Sequence, residues 1–190
     1  AYAEGDCSTA TGAGSTAIDA GASAFGSGAF AFGEGATAVG FNATADGIGA
    51  VALGTLANGF GEYSVALGAE SMAEGLLATA TGALAAATGD GSLAVGAMSM
   101  AQGEEAPALG FWAEASGDVA TALGAESIAS GIQSTAGGFR SIASADAAAA
   151  YGGYSVASEF GATALGYGAE ATNGYATAVG MAALAEGVSS

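Results

Sequence analysis

The chain has 190 residues, of which 35 are glycine and one is proline, with 52% hydrophobic and only 10% charged residues. Its charge is one-sided: 18 Asp and Glu stand against a single basic residue, Arg140, and no His, for a formal net charge of −17 at pH 7. That balance excludes nucleic acid as a natural partner, since such binding rests on Lys and Arg neutralising phosphates. It also leaves no nucleophile and base pair and no zinc site to assemble, so neither an enzyme nor a cofactor is expected.

The mean hydropathy of +0.50 raises the question of a membrane span. The longest uncharged stretches run 15 residues (47–61, 75–89 and 171–185), and each contains glycine. A transmembrane helix asks for about 18 or more apolar residues, so membrane contact is expected only through a segment absent from this chain. The sequence starts at Ala1 without a basic-then-apolar segment; the expectation is that any export signal has been removed or lies outside it. Cys7 has no second cysteine to pair with. It is either a small turn residue or a link between neighbouring chains.

One period of 14 residues organises everything that follows. From Gly12 in steps of 14, every position to Gly180 is glycine, and two residues earlier, from Ala10 to Ala178, all thirteen are alanine. Seven residues off this column runs a second one, from Gly5 to Gly187, in which ten of fourteen are glycine and the exceptions are Asp19, Ala145, Glu159 and Asn173. Both columns read as corners needing positive φ, a reading favoured by Asp and Asn among the exceptions.

Within each half-repeat the pattern small-x-Ala-x-Gly alternates with period two, as a strand does and a helix does not. Each unit is therefore expected to hold two strands of about five residues joined by tight turns, stacked coil on coil. The fold class is all-β, a parallel β-roll or β-solenoid with two short strands per 14-residue coil. Residues 1–190 are expected to make a single domain of about thirteen repeats, uncapped at both ends, and strands about 4.8 Å apart would make it on the order of 65 Å long. The alanine and serine columns (Ser8, Ala22, Ala36, Ala50, Ser64 and their successors) face inward across a narrow gap.

The residue between Ala and Gly faces outward. On the first strand ten of thirteen are large and apolar, including Val39, Leu53, Leu67, Val95, Leu109, Leu123, Leu165 and Val179. On the second strand eleven of fourteen are polar. A continuous apolar stripe exceeds what soluble monomers expose, so this column is expected to be an oligomer interface with closed symmetry.

Other candidates follow in chain order. Ile18, Phe30, Phe32 and Phe60 share the outward face of the second strand, and Phe111 and Trp112 sit together in a turn. They form either a surface for a ligand or partner, or packing within the oligomer. Asp90, Glu104 and Asp118 fall at the same turn position of three consecutive coils, which makes them either a cation ladder or a solvated face that resists aggregation. Pro107, Gly137 and the stretch ADAAAAYGG at 145–153 are local irregularities. Ice binding would need a regular Thr-x-Thr array, and only Thr9/Thr11 and Thr79/Thr81 supply one.

The segments ATAVGFNATADG, YSVALGAESMAEG, GSLAVGAMSMAQG and VATALGAESIASG resemble the YadA-like head (passenger) repeats of trimeric autotransporter adhesins, whose motif has the form xSVAIGxxSxAxG. The resemblance covers nearly all of the chain, although the Asn that precedes the motif's small residue is mostly missing and no stalk, neck or anchor barrel is present. It implies a left-handed parallel β-roll and three chains about a common axis with the Val/Leu column inside.

The expected function is a cell-surface adhesin head on a bacterium: an extracellular, acidic homotrimer presenting a binding surface to host or matrix ligands through repeated weak contacts. The alternative is a subunit of an extracellular filament formed by end-to-end stacking of coils.

Overall fold

Three residues of period-two alternation followed by a glycine are enough for a strand here, but not for a long one. In the computed structural model, which describes residues 1–187, each coil contributes one three-residue strand, such as Thr37–Val39 or Val51–Leu53, and one two-residue strand, such as Thr44–Ala45 or Met72–Ala73. The strands are thus shorter than the expected five residues, because a left-handed residue in every turn ends the extended backbone, although hydrogen bonds between coils continue through the turns. Residues 188–190, the tail of the expected 1–190 domain, lie outside the described residues.

The chain divides into two units, Ala1–Met98 and Ser99–Ser190. In the first, the two-residue strands from Tyr2–Ala3 to Ala86–Ala87 stack in sequence order into one sheet, and the three-residue strands from Thr9–Thr11 to Leu93–Val95 into another. In the second, Met100–Ala101 to Leu184–Ala185 and Pro107–Leu109 to Thr177–Val179 do the same. All pairing is parallel and in register at one repeat, as in Val51↔Val65, Ala52↔Ala66 and Leu53↔Leu67, or Thr163↔Thr177, Ala164↔Ala178 and Leu165↔Val179. The protein is an all-β parallel β-solenoid with two short strands per coil, and no helix occurs among the described residues.

The interior is alanine. Ala24, Ala38 and Ala52 on one sheet and Ala17, Ala31 and Ala45 on the other are fully buried, with serines such as Ser64 and Ser71 among them. A methyl group buries little area, so each coil gains little from its own core. What the small side chains allow is close approach of the two sheets, which leaves the larger apolar residues outside.

The glycine columns divide into two kinds, and here the expectation of positive φ at both is corrected. From Gly12 to Gly180 the first column has φ between +123° and +145°. In the second column, Gly33, Gly47, Gly61 and Gly75 lie outside the left-handed region; they are glycine because a Cβ would collide with the backbone carbonyl one coil on, Gly61 against Gly75 for example. Asp19, Ala145, Glu159 and Asn173 accordingly need no tolerance of a left-handed backbone, and none of them adopts one. The left-handed role falls two residues after each glycine, where Leu56, Tyr63, Glu70, Leu84, Trp112 and even the β-branched Val119 (φ 56°) are found.

Two irregularities find physical reasons. Pairing of Pro107–Leu109 with the following strand starts at Ala108↔Ala122, since proline has no N–H to give the ladder. Gly137 pairs with Tyr151, and the tyrosine ring lies over it, so that a Cβ on Gly137 would stand 2.7 Å from the ring's Cδ1. The stretch 145–153 keeps register throughout, with Ala149↔Thr163, Ala150↔Ala164 and Tyr151↔Leu165.

Candidate interaction surfaces

Strand alternation places every second residue outside, and the register stacks these residues into columns. Val39, Leu53 and Leu67 stand on successive coils in the first unit, where Thr81 separates them from Val95. In the second unit Leu109 and Leu123 pair, as do Leu165 and Val179, with Gly137 and Tyr151 between the two pairs. Val39, Leu53, Leu123, Leu165 and Val179 are exposed in the single chain, while Leu67, Val95 and Leu109 are half-buried between their neighbours.

The six aromatic and apolar candidates are divided between the two units. Phe30 and Phe32 stack with ring centroids 5.8 Å apart and planes 2° from parallel. Ile18 lies one coil before Phe32, and Phe60 two coils after it with Asp46 between. Phe111 and Trp112 stack at 5.6 Å and 5°, but at a corner of the other unit.

Reading the sequence column by column misses two aromatic groups on the second unit, one at each corner of the coil. Phe139 meets Tyr154 edge-on at 5.3 Å, Tyr154 meets Tyr167 at 5.6 Å, and Phe160 meets Tyr175 at 5.4 Å. These partners are spaced 15, 13 and 15 residues apart, not 14. A corner carries two adjacent outward positions, so rings on successive coils touch diagonally. Allowing one residue either side of the period would have found them.

Arg140 sits beside the first of these, with Phe139 and Tyr154. Its Nε donates to Glu126 Oε2 at 2.7 Å, and its guanidinium lies 5.1 Å from the Phe139 ring centroid and 6.0 Å from that of Tyr154. The hydrogen bond to Glu126, then that carboxylate's charge, raises the Arg140 pKa above its ordinary value. At the other end of the chain the Tyr2 hydroxyl donates to Glu4 Oε2 at 3.0 Å, and the bond and the charge of Glu4 hold the phenol above its usual range.

The acidic turn residues have a structural use that the sequence does not display. Asp90 Oδ1 accepts from the backbone N–H of Leu76 at 2.9 Å, Asp118 Oδ1 from that of Glu104 at 3.2 Å, and Asp146 Oδ1 from that of Ile132 at 2.9 Å. Each aspartate thus reaches back one coil and satisfies an exposed turn donor. Among the described residues no three His, Cys, Asp or Glu side chains converge as metal ligands would. Cys7 is exposed and occupies a left-handed turn position. No helix of the described residues is long and apolar enough to cross a membrane.

A family model described as the YadA head domain repeat, which holds two copies of that repeat, matches residues 20–43, 31–57, 45–71, 73–99, 101–127 and 157–183, well over half of the chain. The unmatched residues 128–156 include Gly137, Arg140 and Ala145, yet their strands keep the same one-repeat register. No curated protein matches the chain.

Proposed function

Because the chain belongs to the family of YadA head domain repeats, an adhesin-type passenger repeat, we propose that it is the non-enzymatic head of a trimeric autotransporter adhesin, displayed outside a bacterial cell. In this reading three chains pack through the outward Val/Leu column, with Leu53, Leu67, Leu109 and Leu123 at its centre. The observation that carries the reading is the family match recurring along the coils, in a fold whose core is methyl groups while leucines and valines stand outside. Burying that column is where most of the remaining hydrophobic free energy lies.

Binding to host or matrix ligands then rests on outward rings that assembly leaves uncovered, including the half-buried Phe30 and the exposed Phe32, Phe111 and Trp112. Three copies of each weak contact give avidity instead of one deep pocket. The net charge of −17 keeps such a head away from anionic polymers and membranes.

The mass of the purified chain in solution tests this reading directly. Sedimentation equilibrium is expected to give three chains per particle, and Leu53→Glu combined with Leu123→Glu is expected to dissociate or unfold it. A stable monomer with unaltered β-sheet circular dichroism would overturn the proposal, and long fibres by electron microscopy would favour the filament.

A further inference from the structure

In the first unit the corner that follows the three-residue strands carries a groove of about 380 Å³, lined by Leu56, Asn58, Glu70, Met72, Leu84 and Ala86. It exists because Ala86 replaces a larger outward residue: its register partner is Met72, which in turn pairs with Asn58. Leu56, Glu70 and Leu84 occupy the same turn position of three successive coils, all left-handed, at φ 57°, 56° and 60°. Their backbone N–H groups are committed to the preceding coil, that of Glu70 to the Thr55 carbonyl at 2.8 Å and that of Leu84 to Ala69 at 2.9 Å. Asn58 is held as well, its Nδ2 donating to the Leu56 carbonyl at 3.0 Å. The backbone around the groove is therefore held in place, and the charged group within it, Glu70, forms no ion pair or hydrogen bond through its side chain among the described residues.

The chain itself displays what this position accepts. Glu126 stands at the same turn position as Glu70, four coils later, and the next coil supplies Arg140, whose Nε sits 2.7 Å from its carboxylate. After Glu70 the next coil supplies Leu84 instead, and Arg140 is the chain's only Lys or Arg. We propose that the Leu56–Glu70–Leu84 groove receives a basic side chain of a partner polypeptide, its charged head on Glu70 and its alkyl stem against Leu56, Leu84 and Met72. Long basic side chains bind in this way, apolar stem on apolar surface and charge at the polar rim. The acidic chain as a whole draws such a partner in from a distance, and the groove decides where it docks.

The inference rests on the adhesin reading only in taking the chain to bind polypeptides. A fluorescent deca-arginine peptide, with deca-glutamine as the uncharged counterpart, titrated by anisotropy at low ionic strength, tests it. Glu70→Gln is expected to weaken deca-arginine binding about threefold to fivefold, the upper part of the range for one exposed charge pair. Glu34→Gln, the same loss of charge at an exposed turn away from the groove, should leave it within about 1.5-fold, since it breaks no such pair. Ala86→Met fills the groove without touching charge and is expected to weaken binding to a similar extent as Glu70→Gln. Leu84→Arg, which rebuilds the Glu126–Arg140 pair at Glu70, should do the same while raising the melting temperature. Equal weakening by Glu70→Gln and Glu34→Gln, or wild-type binding by both Ala86→Met and Leu84→Arg, would mean diffuse charge attraction and overturn the groove. The oligomer mass of these variants reports separately on the adhesin reading, which stands or falls without them.

Discussion

The two corners of each coil look alike in the sequence and differ in physics. At the first, glycine has φ near +140°, as at Gly54, and a Cβ would also strike the carbonyl of the next coil. At the second, as at Gly61, only the collision applies. All four exceptions to glycine, Asp19, Ala145, Glu159 and Asn173, fall in the second column, where a small backbone shift can relieve a collision but nothing has to relieve a forbidden φ.

The serine hydroxyls at the two corners differ as well. At the first, the turn bond is long, 3.4 Å from Ser71 N–H to the Gly68 carbonyl, and the Ser71 hydroxyl donates to that same oxygen at 3.0 Å. Ser15, Ser127, Ser141 and Ser155 repeat the arrangement. At the second, the turn bond runs 3.2 Å from Ser64 N–H to the Gly61 carbonyl, and among the described residues the hydroxyls of Ser64, Ser92 and Ser134 find no partner. Identical residues one half-repeat apart are thus satisfied in one sheet and orphaned in the other.

Substitution can widen or erase this contrast, and the largest effect is expected at the corners themselves. Gly54→Ala combines left-handed strain with overpacking and should destabilise by about 4 kcal/mol. Gly61→Ala carries the overpacking alone and should cost about 2 kcal/mol. Chemical denaturation of the two side by side measures the difference, and equal costs would show that φ contributes nothing at the first corner.

Gly137→Ala comes next, at about 1.5 kcal/mol, because its new methyl meets the Tyr151 ring. Here the obstacle is a side chain, so the cost should fall by more than half in a Tyr151→Ala background; a double-mutant cycle with no coupling would remove the ring as the cause.

The serines give a smaller effect of opposite sign. Ser71→Ala is expected to lose about 1 kcal/mol with its hydrogen bond, whereas Ser64→Ala, which removes a buried orphan, should be neutral or stabilising by up to about 1 kcal/mol. Loss of stability in both would mean that Ser64 has a partner after all. Smallest is Asp90→Ala, about 0.5 kcal/mol for an exposed turn donor returned to water. Hydrogen exchange should locate that change at the Leu76 amide.

Much of this architecture is legible without coordinates, because it depends on residues that are close in sequence. Alternation of Ala24 or Ala38 with Phe25 or Val39 fixes which side chains enter the core, and the unbroken glycine steps fix the coil length. The candidate surfaces were legible only in part. The Val/Leu column appears at a spacing of 14, but Phe139 with Tyr154 and Tyr154 with Tyr167 do not, and Asp146 looks like a free acid until the Ile132 amide is seen beneath it. Leu56, Glu70 and Leu84 share a column at a spacing of 14, but no pattern in the sequence shows that a groove opens beside them.

The sequence by itself determined a two-strand coil with a methyl-lined interior and larger apolar groups outside, since period-two alternation and a fixed repeat act within one coil. Only the tertiary structure decided why each glycine is needed, which serine is satisfied, what the turn aspartates hold and where a groove opens. Those depend on how one coil settles on the next, where contacts run diagonally and backbone carbonyls crowd neighbouring corners. Distances of that kind are set by the stacked backbone, and no residue pattern within a single repeat encodes them.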